Sequence, residues 1–154
     1  MRYSLFSLLI VGLLLTATSS ADDAKDEAIR KDRKRIQGTW QVTALTINGN
    51  KAKDEDAKKL TVVNDDKGTW NLRSGNMEIS KGTSTFDPTK KPKTIDFTPT
   101  DGGGKGDQFL GIYQLGKNAR KLCFAPAGKD RPTEFSSTPE NQHILVEFER
   151  VKSE

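Results

Sequence analysis

The sequence predicts an all-β chain: an eight-stranded antiparallel barrel behind a short N-terminal helix, with a two-sheet sandwich as the alternative arrangement. Three observations predict it. From Gly38 onward, short segments of mixed apolar and polar residues are separated by polar stretches rich in Gly, Asn, Asp and Pro. There are eight such segments, enough for a small closed barrel. The last, "HILVEFER", puts Ile144, Val146 and Phe148 on one face and Glu147 and Glu149 on the other, the period of a strand with one buried side.

Residues 1–21 read as a secretory signal. Arg2 supplies its positive start, Leu5 to Leu15 an apolar run of 11 residues, and Ser19-Ser20-Ala21 the small residues of a cleavage site. That run is far shorter than the roughly 20 residues a spanning helix needs, and no cysteine follows it to carry lipid. The expectation is an exported chain, periplasmic or extracellular, with no stable membrane anchor. Arg2 is the only charge in the segment, so the remainder carries +3, one less than the full chain's +4. An excess that small, spread along the chain, gives no reason to expect nucleic acid as a partner.

Residues 22–36 form a charged N-terminal helix or linker, with acids early, bases late, and Ile29 and Ile36 one heptad apart. Residues 37–152 form the barrel domain. Its strands are expected at 39–47, 60–63, 69–73, 77–86, 94–98, 108–115, 120–125 and 143–151, with one or two helical turns within 51–59. Gly38-Thr39-Trp40, Gly68-Thr69-Trp70 and Gly111-Ile112-Tyr113 each place a glycine two residues before an aromatic, on the same face, where it leaves room for a ring or a close backbone. Taking those aromatics as inward, Trp40, Trp70, Phe97, Tyr113, Phe124 and Phe148 line the interior, and Arg150 points inward at the end of the last strand.

The single cysteine, Cys123, excludes an internal disulfide and reads as a small buried strand residue between Leu122 and Phe124. As a nucleophile it would need the only histidine, His143, and nothing nearby supplies an activating setting. No zinc-ligand spacing, calcium-loop pattern or Gly-x-Ser-x-Gly elbow occurs, so neither metal nor cofactor is expected and an enzyme is the least supported class. "DGGGKGD" lacks the Gly-Lys-Ser/Thr ending of a phosphate loop and reads as a flexible hairpin link. The 17 residues from Pro126 to Gln142 are long for a hairpin connection. They are expected to cap the barrel, with Phe135 plugging one end. Otherwise Lys129, Asp130, Arg131, Glu134 and Phe135 form a partner-contacting surface.

The Gly38-Thr39-Trp40 start resembles the Gly-x-Trp signature of lipocalins, in which an arginine from the last strand packs across the tryptophan at the barrel base; Arg150 stands at the matching place. More specifically, "IQGTWQVTALTINGNK", "KKPKTIDFT", "LGIYQL" and "KLCFAPAGKDRPTEFSS" resemble an uncharacterised lipocalin-like domain family expanded in planctomycete bacteria. The resemblance covers roughly residues 33–151 and implies a lipocalin-like barrel, with no activity or ligand to carry over. The chain lacks the Thr-Asp-Tyr segment of true lipocalins.

The functional expectation is therefore a non-enzymatic, monomeric binding module. Its ligand would be a small apolar molecule held by the barrel-interior residues Trp70, Phe97, Tyr113 and Phe124, with Trp40 and Arg150 closing the barrel. The alternative is a module that binds or inhibits an extracytoplasmic protein through its loops around a filled interior. Cavity size separates the two.

Overall fold

The computed structural model describes residues 18–153. Nearly all of the expected signal segment, residues 1–17, lies outside the described residues. Helix α1 (Thr18–Ile36) leads into β1 (Gly38–Ile47), a short β2 (Asn50–Lys51) and the single-turn α2 (Asp54–Ala57). There follow β3 (Leu60–Asn64), β4 (Thr69–Ser74), β5 (Met77–Asp87), β6 (Lys93–Asp101), β7 (Phe109–Leu115), β8 (Ala119–Phe124) and β9 (Ile144–Arg150).

β2 folds back on the end of β1. The other eight strands run up and down in chain order, and β9 pairs with β1 to close an antiparallel barrel of lipocalin-like form. The seam runs from Trp40 opposite Arg150 to Ile47 opposite Ile144. Between Val42 and Ala44 its register shifts, and Thr43 bulges. Without that bulge Leu45 and Ile47 would face out; with it they join Trp40 and Val42 on the inner face. Successive inward layers are then Val42, Phe148 and Arg120; Leu45, Val146 and Leu122; and Ile47, Ile144 and Phe124.

One end of the barrel carries the links 65–68, 88–92 and 116–118, and α1 lies across it. The basic last turn of α1, Arg33-Lys34-Arg35, suits the negative end of the helix dipole. Gly38, at φ 116°, turns the chain from the helix into β1, a conformation that favours glycine. Ile36 is buried in the core and Ile29 packs against it. Between them Asp32 is only 3% exposed and accepts hydrogen bonds from Lys93 (2.6 Å) and the Tyr113 hydroxyl (2.8 Å). Arg35 donates to the Leu115 and Gly116 carbonyls, and Lys25 pairs with Asp87 at 3.0 Å. The helix is thus the closure of this end, held by two isoleucines and a set of polar contacts.

Close packing elsewhere depends on missing side chains. A Cβ on Gly111 would collide with the Phe124 ring and lie 2.7 Å from the Cys123 carbonyl oxygen, and one on Gly82 would lie 2.6 Å from Trp70. Gly82 also lies against the Thr98 carbonyl, so these glycines make room both for rings and for the backbone of neighbouring strands. Gly111→Ala is expected to destabilise by about 1–3 kcal/mol through overpacking, measured by urea unfolding. A change within about 0.5 kcal/mol would mean that Phe124 has space to move.

Candidate functional site

The barrel interior divides into two regions of different character. Toward the closed end it is filled. Trp40 is 0% exposed, and Val42, Tyr113 and Phe148 are buried beside it. The Trp40 indole N–H donates to the Ile36 carbonyl at 2.7 Å, and the Arg150 guanidinium lies 4.3 Å from its ring centroid. Arg150 also donates to the Gln37 (2.7 Å) and Arg35 carbonyls, tying the last strand to the end of α1.

A second guanidinium shares this space. Arg120, two residues before Leu122 on the same face of β8, is only 5% exposed. Its guanidinium carbon lies 4.7 Å from the Trp40 ring and 4.3 Å from the Phe148 ring, and Nη1 donates to Asn64 Oδ1 at 2.8 Å. Nε and Nη2 are buried without an acceptor. Leaving buried donors unsatisfied typically costs about 1–3 kcal/mol, and more for a charged group. Burial, and then the neighbouring Arg150 charge, bring the Arg120 pKa down to about 9. It still carries its proton at neutral pH.

Of the residues expected to line a ligand site, Trp70, Phe97 and Phe124 come together. Phe97 is the hub: Trp70 meets it edge-on at 5.7 Å, Phe124 edge-on at 4.4 Å, and Phe109 stacks on it at 4.8 Å. Tyr113 stands apart. Its ring meets Phe86 at 5.8 Å, its hydroxyl serves Asp32, and burial and the Asp32 carboxylate both raise its pKa. Tyr113 therefore belongs to helix docking.

Toward the opposite end the apolar lining is less deeply buried. Leu45, Leu60 and Val62 are half-buried and packed against the core, as are Phe97 and Ile144. Ile47, Ile79 and the 68% exposed Met77 stand at its rim on β1 and β5. Three of the four exposed large apolar residues among those described thus gather at one end. The "DGGGKGD" link also belongs to this rim, where a Cβ on Gly104 would come within 2.9 Å of Phe109.

The segment expected to cap the barrel, with Phe135 as a plug, straps the outer wall instead. The outer faces of β7 and β8 carry Ile112 and Cys123, apolar groups that water must be kept from, and the strap buries both. Arg131 fastens it through Nη1 to Asp96 (2.6 Å) and to the Gly111 and Ile95 carbonyls (2.7 and 3.2 Å). Phe135 lies half-buried under Lys121, whose ammonium is 5.9 Å from the ring centroid. Lys129, Asp130 and Glu134 remain exposed.

The two best-defined concavities lie outside the barrel interior. One, about 370 Å³, runs between the strap and the β5–β6 link and is lined by Lys90, Lys91, Ile112 and Arg131 among others. The other, about 320 Å³, is at the closed-end rim beside Asn118 and Arg150. Among the described residues no group of three His, Cys, Asp or Glu side chains could hold a metal ion, and no helix is long and apolar enough to cross a membrane.

Cys123 is fully buried, its thiol reaches the Ser136 carbonyl at 3.4 Å, and burial raises its pKa. Both effects oppose nucleophilic chemistry. Iodoacetamide is expected to leave Cys123 unmodified in the native protein and to label it fully in denaturant, read by intact mass. Native labelling would show that the strap opens readily.

No protein-family model, curated protein or solved structure matches the chain.

Proposed function

We propose that this chain is an exported, non-enzymatic binding module of the lipocalin-like kind, working in the periplasm or outside the cell. It takes a small apolar ligand at the end of its barrel away from α1. The observation that carries the reading is the apolar rim of Ile47, Met77 and Ile79 leading to half-buried Leu45, Leu60 and Phe97. Exposed apolar residues at the mouth of a barrel are where such ligands first make contact. The filled closed half confines the ligand to the upper barrel unless inner side chains give way.

The rival reading, a module that binds another extracytoplasmic protein through its surface, draws on the 370 Å³ groove beside the strap. Native mass spectrometry of the protein purified from the exported fraction, followed by denaturing extraction, tests the two. A stoichiometric apolar compound is the expected result. A clean protein mass, together with no fluorescence gain from the neutral dye Nile red, would overturn it in favour of the surface reading.

A further inference from the structure

The 370 Å³ groove beside the strap has a charge that the rest of the fold leaves unbalanced. One wall is the Lys90–Pro92 part of the β5–β6 link, the other is Arg131–Thr133 of the strap, and Ile112 on the outer face of β7 forms the floor. Pro92 and Pro132 add apolar surface to the two walls. Three of the lining residues are cations and none is an acid. Arg131 is neutralised by Asp96, and its Nη1 is committed to that carboxylate and two carbonyls. Lys90 and Lys91 are both exposed, and neither enters a salt bridge among the described residues. The acid nearest to them along the link, Asp87, is already held by Lys25 and Thr89. On the strap wall, the Thr133 N–H donates to no backbone carbonyl among the described residues.

We propose that this groove docks an acidic, extended segment of a protein partner. Two carboxylates of the segment meet Lys90 and Lys91, an apolar side chain between them rests on Ile112 and the prolines, and the segment's backbone runs along the strap past Thr133. Small-molecule pockets bury most of their ligand, whereas this groove lies open along one side, which suits a chain laid across the surface. A bare small anion would leave the apolar floor uncovered, and a basic segment would meet two unpaired lysines of its own sign. The groove lies on the outer wall, so the inference adds a second site to the proposed barrel ligand and does not rest on it. Exposed ion pairs contribute little each, so the docking is weak and salt-sensitive.

The test is NMR titration of the full protein with a capped pentapeptide, glutamate at every position except a central leucine. The expected result is saturable movement of the Thr94, Ile112 and Thr133 amide signals, with affinity falling as salt rises from about 20 to about 200 mM. Lys90→Gln together with Lys91→Gln, both exposed on a link, should weaken binding about three- to tenfold without moving the unfolding midpoint. The same peptide with lysine for glutamate should not bind, and alanine for leucine should weaken it. Equal binding of the acidic and basic peptides, or groove amides that stay unmoved, would overturn the proposal. So would inorganic phosphate moving these signals as strongly as the peptide, which would make the groove a small-anion site. Nile red, added to the same samples, should fluoresce equally with and without peptide. Its displacement would put the peptide at the barrel mouth and overturn the groove as its site.

Discussion

Trp40→Ala is expected to lower stability by about 3–5 kcal/mol, the range for deleting a fully buried large aromatic. Area alone does not set that cost. The indole is 0% exposed, its N–H satisfies the Ile36 carbonyl where the helix ends, and its ring meets the guanidiniums of both Arg120 and Arg150. Alanine would remove packing, a hydrogen bond and a shared cation–π surface together. Urea unfolding of Trp40→Ala, Arg150→Ala and the double variant checks this. The double variant should cost less than the sum of the singles, because each single already breaks the same contact. Additivity within about 0.5 kcal/mol would mean that the ring and Arg150 contribute independently.

Asp32→Ala comes next, at about 1.5–3 kcal/mol, the worth of hydrogen bonds to a charged group. One carboxylate oxygen accepts from both Lys93 and Tyr113, and Arg35 stands 3.6 Å from the other. The Lys93 side chain is 35% exposed and can rehydrate, which keeps the cost below that of orphaning a fully buried charge. The diagnostic readout is local. Amide exchange in α1 should accelerate well beyond that of β7 and β8, because the helix would lose its buried polar anchor and keep Ile29, Ile36 and the more peripheral contacts of Lys25 and Arg35. Uniform acceleration throughout would mean that helix and barrel unfold as one unit.

The eight barrel strands were legible because turn residues mark their ends and alternation marks their inner face; observed and expected limits differ by a few residues at most. The bulge at Thr43 was not, since nothing local distinguishes it from its neighbours on a regular strand. Arg120 was within reach. The parity that puts Leu122 and Phe124 inside also puts Arg120 inside, but arginine is rarely buried, and the rings that cover it come from distant strands. The docking of α1 was only hinted at by the Ile29–Ile36 spacing, since its partners Lys93 and Tyr113 lie far along the chain. Trp70, Phe97 and Phe124 pack against one another inside the barrel. Tyr113 faces the core as well, but toward α1, where its hydroxyl finds a buried acceptor in Asp32. The strap's path was illegible, because a polar segment broken by three prolines carries no period to say which wall it follows.

The seam between β1 and β9 has a consequence for how the chain folds. Its partners, Trp40 with Arg150 and Val42 with Phe148, come from opposite ends of the domain, so the last strand made is the one that completes the first. Until β9 arrives, β1 and β8 each leave a row of backbone donors and acceptors open to any passing strand. Closure must then pay the loop entropy of nearly the entire domain at once, which places this barrel among slow, non-local folders. A chain cut short before Ile144 would lack more than a few contacts: it would be an open sheet, sticky along both edges.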